Sequence, residues 1–366
     1  MIPLARDAPA ADVVQRVKTA FALDLEAPVV LGEGRATVVR ALSLNGAAKG
    51  RPVIVKRFGE AYREHFVRER AGLSLLSTIP GLEGFVPRLL ADGEAELMLL
   101  IEGVVEQGSY SEVIVSGGEV ASQILVETAR RLGALHGHAR SRVSDFLARV
   151  PEQPSAGSLL RKGAEATLAF IQRALSCDGD AVAEGVVSSE VHSQLIDVAD
   201  RVDESGVFST ITVGDMAPGN LLLGPEGPVF IDLEYCGIRN AFYDAMYWHC
   251  IYPFSGEMAD RMDVAYRDGL QAAGVPVAED QFVATMLLFM SHRLFWTLSW
   301  NMDPLFQHDR DVVPGVGMRS TICRYLREYV RFASVARRFE HTGLISVATR
   351  LEAVLSQRWP EAVAGH

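Results

Sequence analysis

Cysteine is scarce in this sequence, which has 4 cysteines among 366 residues and no CxxC pair. Disulfide frameworks and structural zinc sites both need clustered cysteines. Neither is therefore predicted, and a reducing, cytoplasmic location is expected. The scattered residues are Cys177, Cys236, Cys250 and Cys323.

Long apolar segments and signal-peptide features are missing as well. The N-terminal region has no apolar core of the kind that secretory signals contain. The most apolar segment, residues 282–300, contains His292 and Arg293, so we expect a buried helix rather than a membrane span. A net charge of −11 argues against non-specific binding to nucleic acid. Neither a membrane nor a nucleic acid is expected as a partner.

The sequence also has no Gly-Lys-Ser or Gly-Lys-Thr, which excludes a P-loop, but it has another phosphate-related pattern. Kinase-type catalytic loops place an Asp, which accepts the proton of the substrate hydroxyl, five positions before an Asn that holds Mg²⁺. Asp215 and Asn220 have this interval, and Asp232 is placed to complete the metal site. Turn chemistry favours Asp and Asn beside glycine, but it does not explain this spacing. The pattern predicts phosphoryl transfer with Asp215 as base and Asn220 and Asp232 as metal ligands.

A β-hairpin is predicted between the two metal ligands. The apolar segments 221–223 and 229–231 flank the turn-forming segment 224–228. If residue 221 pairs with 231, Asn220 lies opposite Asp232, with Cα atoms about 5 Å apart. An amide and a carboxylate are ligands that suit Mg²⁺, which completes its coordination with water and phosphate oxygens.

The N-terminal third is predicted to form a small sheet with a glycine turn at Gly32 and Gly34. Strand-like sequence follows the turn, whereas a dinucleotide fingerprint requires a helix there. Backbone amides at the two glycines can approach phosphates, as in the glycine-rich loop of kinases. The alternative is a turn that needs glycine only for its conformation.

Lys56 ends an apolar strand, and Glu69 lies in the apolar stripe of the following helix. A buried carboxylate is costly unless it is paired, so Lys56 is its expected partner. The pair would hold Lys56 against the nucleotide phosphates. The alternative is an exposed strand lysine, with Glu69 at the rim of its stripe.

The length favours two lobes, which we place at residues 1–104 and 105–366. The first contains a leading amphipathic helix over residues 13–25, the sheet and a helix over residues 60–76, and its strand 97–101 ends at Glu102. The nucleotide base would bind the backbone of residues 101–104, which includes Glu102 and Val104. The second lobe is mostly helical, with helices predicted at 119–138, 158–176, 190–204, 241–251, 258–273, 279–300 and 319–339.

These features resemble the aminoglycoside phosphotransferase and choline kinase superfamily, whose loop His-Gly-Asp-x-His-x-x-Asn precedes Ile-Asp-x-Glu. The resemblance also covers Lys56, Glu69 in RERAGL, the LGALHG segment at 132–137 and the YDA segment at 243–245. It implies an α+β, bilobal protein-kinase-like fold with a small N-terminal antiparallel β-sheet lobe containing a helix and a larger, mainly α-helical C-terminal lobe. It also implies ATP or GTP as co-substrate and Mg²⁺ as cofactor. Val213 and Ala217 depart from the family, because histidines are usual or frequent at those positions.

A small-molecule acceptor is expected, because only twelve positions separate Asp232 from Asp244 and no Ala-Pro-Glu follows. The predicted activity moves the γ-phosphoryl group to a hydroxyl of an aminoglycoside-like molecule, a sugar or an amino alcohol, in a monomer or homodimer. The alternative, motivated by Val213 and Ala217, is a catalytically silent nucleotide-binding pseudokinase or scaffold. Acidic residues spaced at i, i+3 and i+6 offer charge for an amine, although a solvated helix face is the favoured interpretation: Glu257, Asp260 and Asp263.

Overall fold

The chain forms two compact units, each built from more than one segment. The first comprises Met1–Tyr110, His138–Glu152 and Val213–Ile238, and the second comprises the rest. The lobe boundary near residue 104 stays a prediction. Cys177 lies outside the residues that the structure describes. This computed structural model describes residues 7–176, 189–204, 206–254, 256–300, 302–313, 315–336 and 339–362.

A five-stranded antiparallel sheet organises the first unit. Its strands are arranged in the order β1-β2-β3-β5-β4, so the last two along the chain exchange places. Their β-branched and apolar composition is typical of strands that are buried on at least one face. The strands are β1 (Leu25–Gly32), β2 (Ala36–Ser43), β3 (Pro52–Phe58), β4 (Leu89–Gly93) and β5 (Met98–Glu102).

The two faces of this sheet have different roles, because side chains alternate along a strand. Val53 and Val55 of β3 belong to a core cluster that includes Val13 and Val17 of helix α1 (Asp7–Phe21). Lys56 points from the same strand to the other face. There it meets Glu69 of α2 (Arg63–Leu76), with which it forms an ion pair. One face of the sheet therefore packs into the hydrophobic core, and the other face carries the Lys56–Glu69 ion pair.

The predicted hairpin is present, but its register differs from the prediction by one residue. In strands β7 (Leu221–Gly224) and β8 (Gly227–Phe230), Leu221 pairs with Phe230 rather than with Ile231. The loop has two residues instead of five, since Gly224 pairs with Gly227, and loop length fixes hairpin register. Asn220 therefore pairs with Ile231, whose N–H it accepts at 3.0 Å, and Asp232 is the next residue.

Helices dominate the rest of the chain, which confirms the predicted α+β class. The helix predicted over 241–251 is wrong in detail, because two short helices replace it, and the helix at 342–358 was not predicted. The helices are α3 (Tyr110–Ser116), α4 (Gly118–Ala139), α5 (Val143–Arg149), α6 (Gly157–Ser176), α7 (Ser189–Arg201), α8 (Phe242–Ala245), α9 (Tyr247–Cys250), α10 (Gly256–Ala272), α11 (Glu279–Ser299), α12 (Met302–Gln307), α13 (Met318–Val335) and α14 (Thr342–Arg358). The remaining strands are β6 (Ser209–Thr212), β9 (Gly237–Asn240), β10 (Asp311–Val313) and β11 (Val316–Gly317).

Helix α11 is the one described helix that is long and apolar enough to cross a membrane. Its most apolar window is 67% buried within the structure, where the helix packs against α6 and α13. His292, near its middle, is fully buried and bonds the carbonyl of Ala156 at 2.9 Å. This is the burial of a core helix, as the interrupted apolar pattern predicts.

Candidate active site

Lys56 is the centre of a buried charge cluster in the first unit. Its ammonium lies 2.6 Å from Glu69 Oε2, as predicted, and 2.5 Å from Asp232 Oδ1. A third carboxylate, Glu234, lies 3.9 Å away. Lys56, Glu69 and Glu234 are almost fully buried, whereas Asp232 is about one-third exposed. One ammonium therefore lies close to three carboxylates, one from α2 and two from the segment after the hairpin.

The pKa values of Lys56 and Glu69 follow from the presence of three carboxylates around one ammonium. Burial alone would lower the pKa of Lys56, but Glu69 and Asp232 outweigh burial and raise the pKa above its ordinary value. Lys56 is therefore a cation at neutral pH. Burial raises the pKa of Glu69 to about 7; Lys56 opposes this rise, whereas Asp232 and Glu234 add to it. The cluster holds more negative than positive charge.

Asp232 has a backbone conformation that few residues other than glycine adopt. Its φ and ψ are both 60°, in the left-handed region. Such a conformation costs free energy and is retained where surrounding contacts fix it. Asp232 follows the hairpin directly, and its conformation places the carboxylate beside the Lys56 ammonium. The next residues are also fixed, because a Cβ on Gly72 of α2 would lie 2.9 Å from Cys236 Sγ.

The loop before the hairpin holds Asp215 and Asn220 through its own backbone. Asp215 Oδ1 accepts the N–H of Ala217 at 3.2 Å, and the side-chain amide of Asn220 donates to the Asp215 carbonyl at 3.1 Å. That second bond leaves Asn220 Oδ1 as the oxygen that can act as a ligand. Gly214 is required by geometry, since its φ is +91° and a Cβ would lie 2.1 Å from the carbonyl oxygen of Tyr235.

A cavity of about 210 Å³ opens beside the Lys56 cluster, entirely within the first unit. The predicted residues Lys56, Glu69, Glu102, Val104 and Asp232 all line it. Apolar side chains from the sheet and from the hairpin complete the wall: Leu31, Val38, Ile54, Ile101, Leu222 and Ile231. Apolar walls with a charged end suit a ligand that has a flat apolar part and a charged part.

Gly32 and Gly34 do not line this cavity, although their neighbour Leu31 does. Neither glycine has a positive φ, and a Cβ on either would meet nothing within 4 Å. The described structure therefore requires glycine at neither position. The interpretation of a turn that needs glycine only for its conformation is wrong for these two residues, because their backbone is one that any residue can adopt.

Arg35, Glu234 and Tyr235 join the site without having been assigned a role from the sequence. Arg35 Nε donates to Glu234 Oε1 at 2.7 Å, and the guanidinium lies 5.1 Å from the centre of the Tyr235 ring. The glycine turn is thereby tied to the segment after Asp232. These partners are 199 residues apart, and no local pattern in the sequence indicates such a contact.

Two backbone N–H groups near the end of β5 already donate hydrogen bonds within the protein. The N–H of Glu102 donates to Arg88 O at 2.9 Å, and the N–H of Gly103 donates to Pro52 O at 3.0 Å. Within the described part of the chain, the N–H of Val104 has no such partner. The Glu102 side chain pairs with Arg88 at 2.8 Å, so it braces the strand end.

In the second unit, His136 is a core residue. Its ring nitrogens bond Tyr266 Oη at 2.9 Å and Asp244 Oδ2 at 3.1 Å, and all three side chains are buried. The expected solvated face of α10 is wrong for Asp263. Its carboxylate is buried, where it accepts bonds from Trp248 Nε1 at 2.9 Å and His249 Nε2 at 3.0 Å.

Comparison with known proteins shows what this chain is similar to in sequence and in fold. The model of the family described as "Phosphotransferase enzyme family" matches residues 40–278. Choline kinase LicA from Streptococcus pneumoniae is similar in structure at 16% identity and a TM-score of 0.52, with 89% of this chain and 99% of that chain covered. The streptomycin-ATP-APH(2")-IIa ternary complex aligns at 10% identity and a TM-score of 0.53, covering 94% and 99%.

A choline/ethanolamine kinase family protein from Mesorhizobium loti aligns at 13% identity and a TM-score of 0.52, again covering 94% and 99%. At these identities the likeness establishes the fold. A sequence search of curated proteins found no match.

Proposed function

This chain belongs to the phosphotransferase enzyme family, and we propose that it transfers the γ-phosphoryl group of ATP or GTP to a hydroxyl of a small molecule. The observation that supports this most strongly is Lys56, a buried cation within 2.6 Å of both Glu69 and Asp232 at the end of an apolar cavity. A positioned lysine beside a metal-binding Asp is what phosphoryl transfer requires, since its catalysis is mostly positioning and charge stabilisation.

The nucleotide would lie along the cavity of the first unit. Its base would pack between the sheet side chains and the hairpin, with Val104 N–H as the backbone donor. Its phosphates would reach Lys56, which Glu69 keeps protonated and oriented. The glycine turn at Gly32 and Gly34 leaves open space above its backbone, which a phosphate group can approach.

Asn220 and Asp232 would hold Mg²⁺. The described residues contain no group of three or more His, Cys, Asp and Glu side chains arranged as a metal site. This fits Mg²⁺, which takes one or two protein carboxylates together with phosphate oxygens and water. Two further observations support the fit: the fixed amide of Asn220 and the surplus of carboxylates around Lys56. Bound there, Mg²⁺ would neutralise the phosphate oxygens.

Asp215 would accept the proton of the attacking hydroxyl. The Ala217 N–H holds one of its oxygens, which fixes the direction of the carboxylate. Similar proteins bear the names of choline and aminoglycoside kinases, and the short segment after Asp232 leaves no room for a protein-kinase activation loop. An aminoglycoside-like molecule, a sugar or an amino alcohol is therefore the proposed acceptor class.

Asp215→Asn is the decisive variant. We expect nucleotide binding to survive and Mg²⁺-dependent transfer to a panel of hydroxyl acceptors to fall about a thousandfold, because a general base contributes about 10²–10⁴-fold. Asp268→Asn is the matched control, since Asp268 is an exposed residue of α10, and it should leave turnover unchanged. Equal turnover by Asp215→Asn would overturn the proposed role.

A catalytically silent nucleotide-binding protein is the second candidate. Val213 is fully buried in place of the family's usual histidine, and Ala217 offers only its backbone to Asp215. Assays of the wild-type protein distinguish this candidate from the proposed phosphotransferase. Nucleotide would raise its melting temperature in the presence of Mg²⁺, yet neither transfer nor hydrolysis would be measurable with any acceptor.

A further inference from the structure

The second unit contains a separate cavity of about 260 Å³ between α9, α10 and α13. Trp248 and Phe254 contribute aromatic surface, and the indole N–H of Trp248 is already donated to Asp263. The charged residues of its lining all belong to α13. The lining consists of Trp248, Pro253, Phe254, Gly256, Ala259, Arg324, Arg327 and Glu328.

Arg324 is the unusual member of this lining. It is only 9% exposed, and its one hydrogen bond to a described residue runs from Nη2 to the carbonyl of Cys250 at 3.3 Å. Among the described residues its buried Nε has no hydrogen-bond partner, and no carboxylate forms an ion pair with its guanidinium. Buried charges are normally paired, because an unpaired charge loses its hydration without compensation.

The carboxylate nearest in sequence compensates the charge of Arg324 only in part. Glu328 Oε1 accepts from His249 Nδ1 at 3.0 Å, and Oε2 accepts from Arg331 Nε at 2.8 Å. Both of its oxygens are thus used by other cations. Arg327 is half-exposed at the rim and pairs with Glu352 at 3.3 Å. The lining itself therefore holds two arginines and one glutamate in an apolar and aromatic surrounding, and Arg324 is the one of the three without an ion pair among the described residues.

We propose that this cavity binds the oxyanion of a small organic molecule, a carboxylate or a phosphate ester with an apolar or aromatic body, and that Arg324 is the anion-binding residue. A guanidinium presents several N–H donors in one plane, which suits carboxylate and phosphate oxygens. Trp248 and Phe254 accommodate the apolar body. None of its lining residues takes part in the proposed transfer chemistry, since Lys56, Asp215, Asn220 and Asp232 all belong to the first unit and the lining belongs to the second.

The charge state of Arg324 agrees with this geometry. Burial lowers the pKa of Arg324 to about 10, while Glu328 offsets the fall only in part. The guanidinium is still charged at neutral pH, and a bound anion would supply the compensation that the described protein groups do not.

Calorimetric titration of the full chain, without nucleotide or Mg²⁺, tests the proposal. The probes are benzoate and phenyl phosphate, with benzamide as the neutral counterpart of benzoate and sodium chloride at matched ionic strength as the salt control. We expect benzoate or phenyl phosphate to bind and benzamide not to bind. The stronger of the two anions identifies the head group.

Variants decide where the anion binds. Arg324→Gln should weaken the binding of the better probe at least tenfold, whereas Arg350→Gln, which removes an exposed arginine of α14, should leave it unchanged. Ala259→Leu, which fills the cavity from α10 and keeps every charge, should also abolish binding. Equal binding of benzamide, no binding of either anion, or binding that survives both Arg324→Gln and Ala259→Leu would overturn the proposal.

Discussion

Two buried cations in this chain have opposite surroundings. Lys56 in the first unit has three carboxylates within 3.9 Å, whereas Arg324 in the second has only a carbonyl among the described residues. The first site has surplus negative charge, which supports the proposed binding of a nucleotide together with Mg²⁺. At the second site Arg324 has no ion pair among the described residues, which supports the proposed binding of an anion. The sign of the uncompensated charge, rather than burial itself, indicates what each site binds.

Among the variants that test this contrast, Lys56→Met is expected to change the free energy of unfolding most. Removal of the ammonium leaves Glu69 and Asp232 without their cation, whereas Glu234 keeps Arg35, so the folded state should lose about 3–5 kcal/mol. Urea denaturation measures this loss. Transfer activity should also disappear in nucleotide assays.

Lys49→Met is the matched control for that measurement, because Lys49 is an exposed lysine of the same unit. It should change the free energy of unfolding by less than about 0.5 kcal/mol. The double variant Lys56→Met with Glu69→Leu should recover part of the lost stability, since it removes a charge that was left unpaired. No recovery would show that Glu69 is not the main partner.

A second contrast lies within the second unit, between His249 and His292. Both are fully buried. Despite its burial, Asp263 and Glu328 raise the pKa of His249 to about 9, whereas burial lowers the pKa of His292 to about 4. His292 Nδ1 has no hydrogen-bond partner among the described residues, so a proton there would lack an acceptor. One ring is a cation at neutral pH, and the other is neutral.

His249 predicts a loss of stability in alkaline solution. Its folded pKa is raised, so its contribution is complete below the unfolded value of about 6.5 and is lost as the pH rises through about 9. The contribution is about 3 kcal/mol, at about 1.4 kcal/mol per pKa unit. Denaturation curves across this range should show the decline, and His249→Gln should lack this part of it. An identical decline in the variant would contradict the assignment.

His292 predicts the opposite trend in acid. Because its folded pKa is depressed, the unfolded chain binds a proton first, and stability should fall as the pH drops from about 6.5 toward 4. The expected loss is again about 3 kcal/mol. His292→Asn should remove that acid-dependent part, although it lowers stability at every pH because a buried ring is lost. A loss of the same size in the variant would argue against His292 as the source.

The first unit shows how much of the site the sequence could predict. Lys56 and Glu69 were paired from one strand and one helical stripe, and both facts are local. The hairpin was also predicted, but its register was wrong by one residue, because hydrophobic pattern does not separate a two-residue loop from a five-residue loop. The prediction therefore paired Asn220 with the wrong residue.

The second unit shows where prediction from sequence ends. Asp263 was assigned to a solvated face, yet it is buried against His249 and Trp248. Arg324 is spaced from Arg327 and Arg331 as on a solvated helix face, yet it is only 9% exposed. Charge spacing along a helix does not reveal which neighbouring helix covers it. Contacts such as Arg35 with Glu234, 199 residues apart, depend on tertiary packing in the same way.

The smallest change in the free energy of unfolding is expected from Arg324→Met. At Lys56, replacement by methionine is expected to be the most damaging change. The variant loses one hydrogen bond to Cys250 O, worth about 1 kcal/mol, and it also loses a buried charge that no described carboxylate compensates. These changes oppose each other, so the free energy of unfolding should stay within about 1 kcal/mol of wild type or rise. A loss above about 2 kcal/mol would mean that Arg324 stabilises the fold, and the contrast with Lys56 would fail. An unchanged stability combined with lost anion binding would separate a binding residue from a structural one, which denaturation and calorimetry on one variant can establish together.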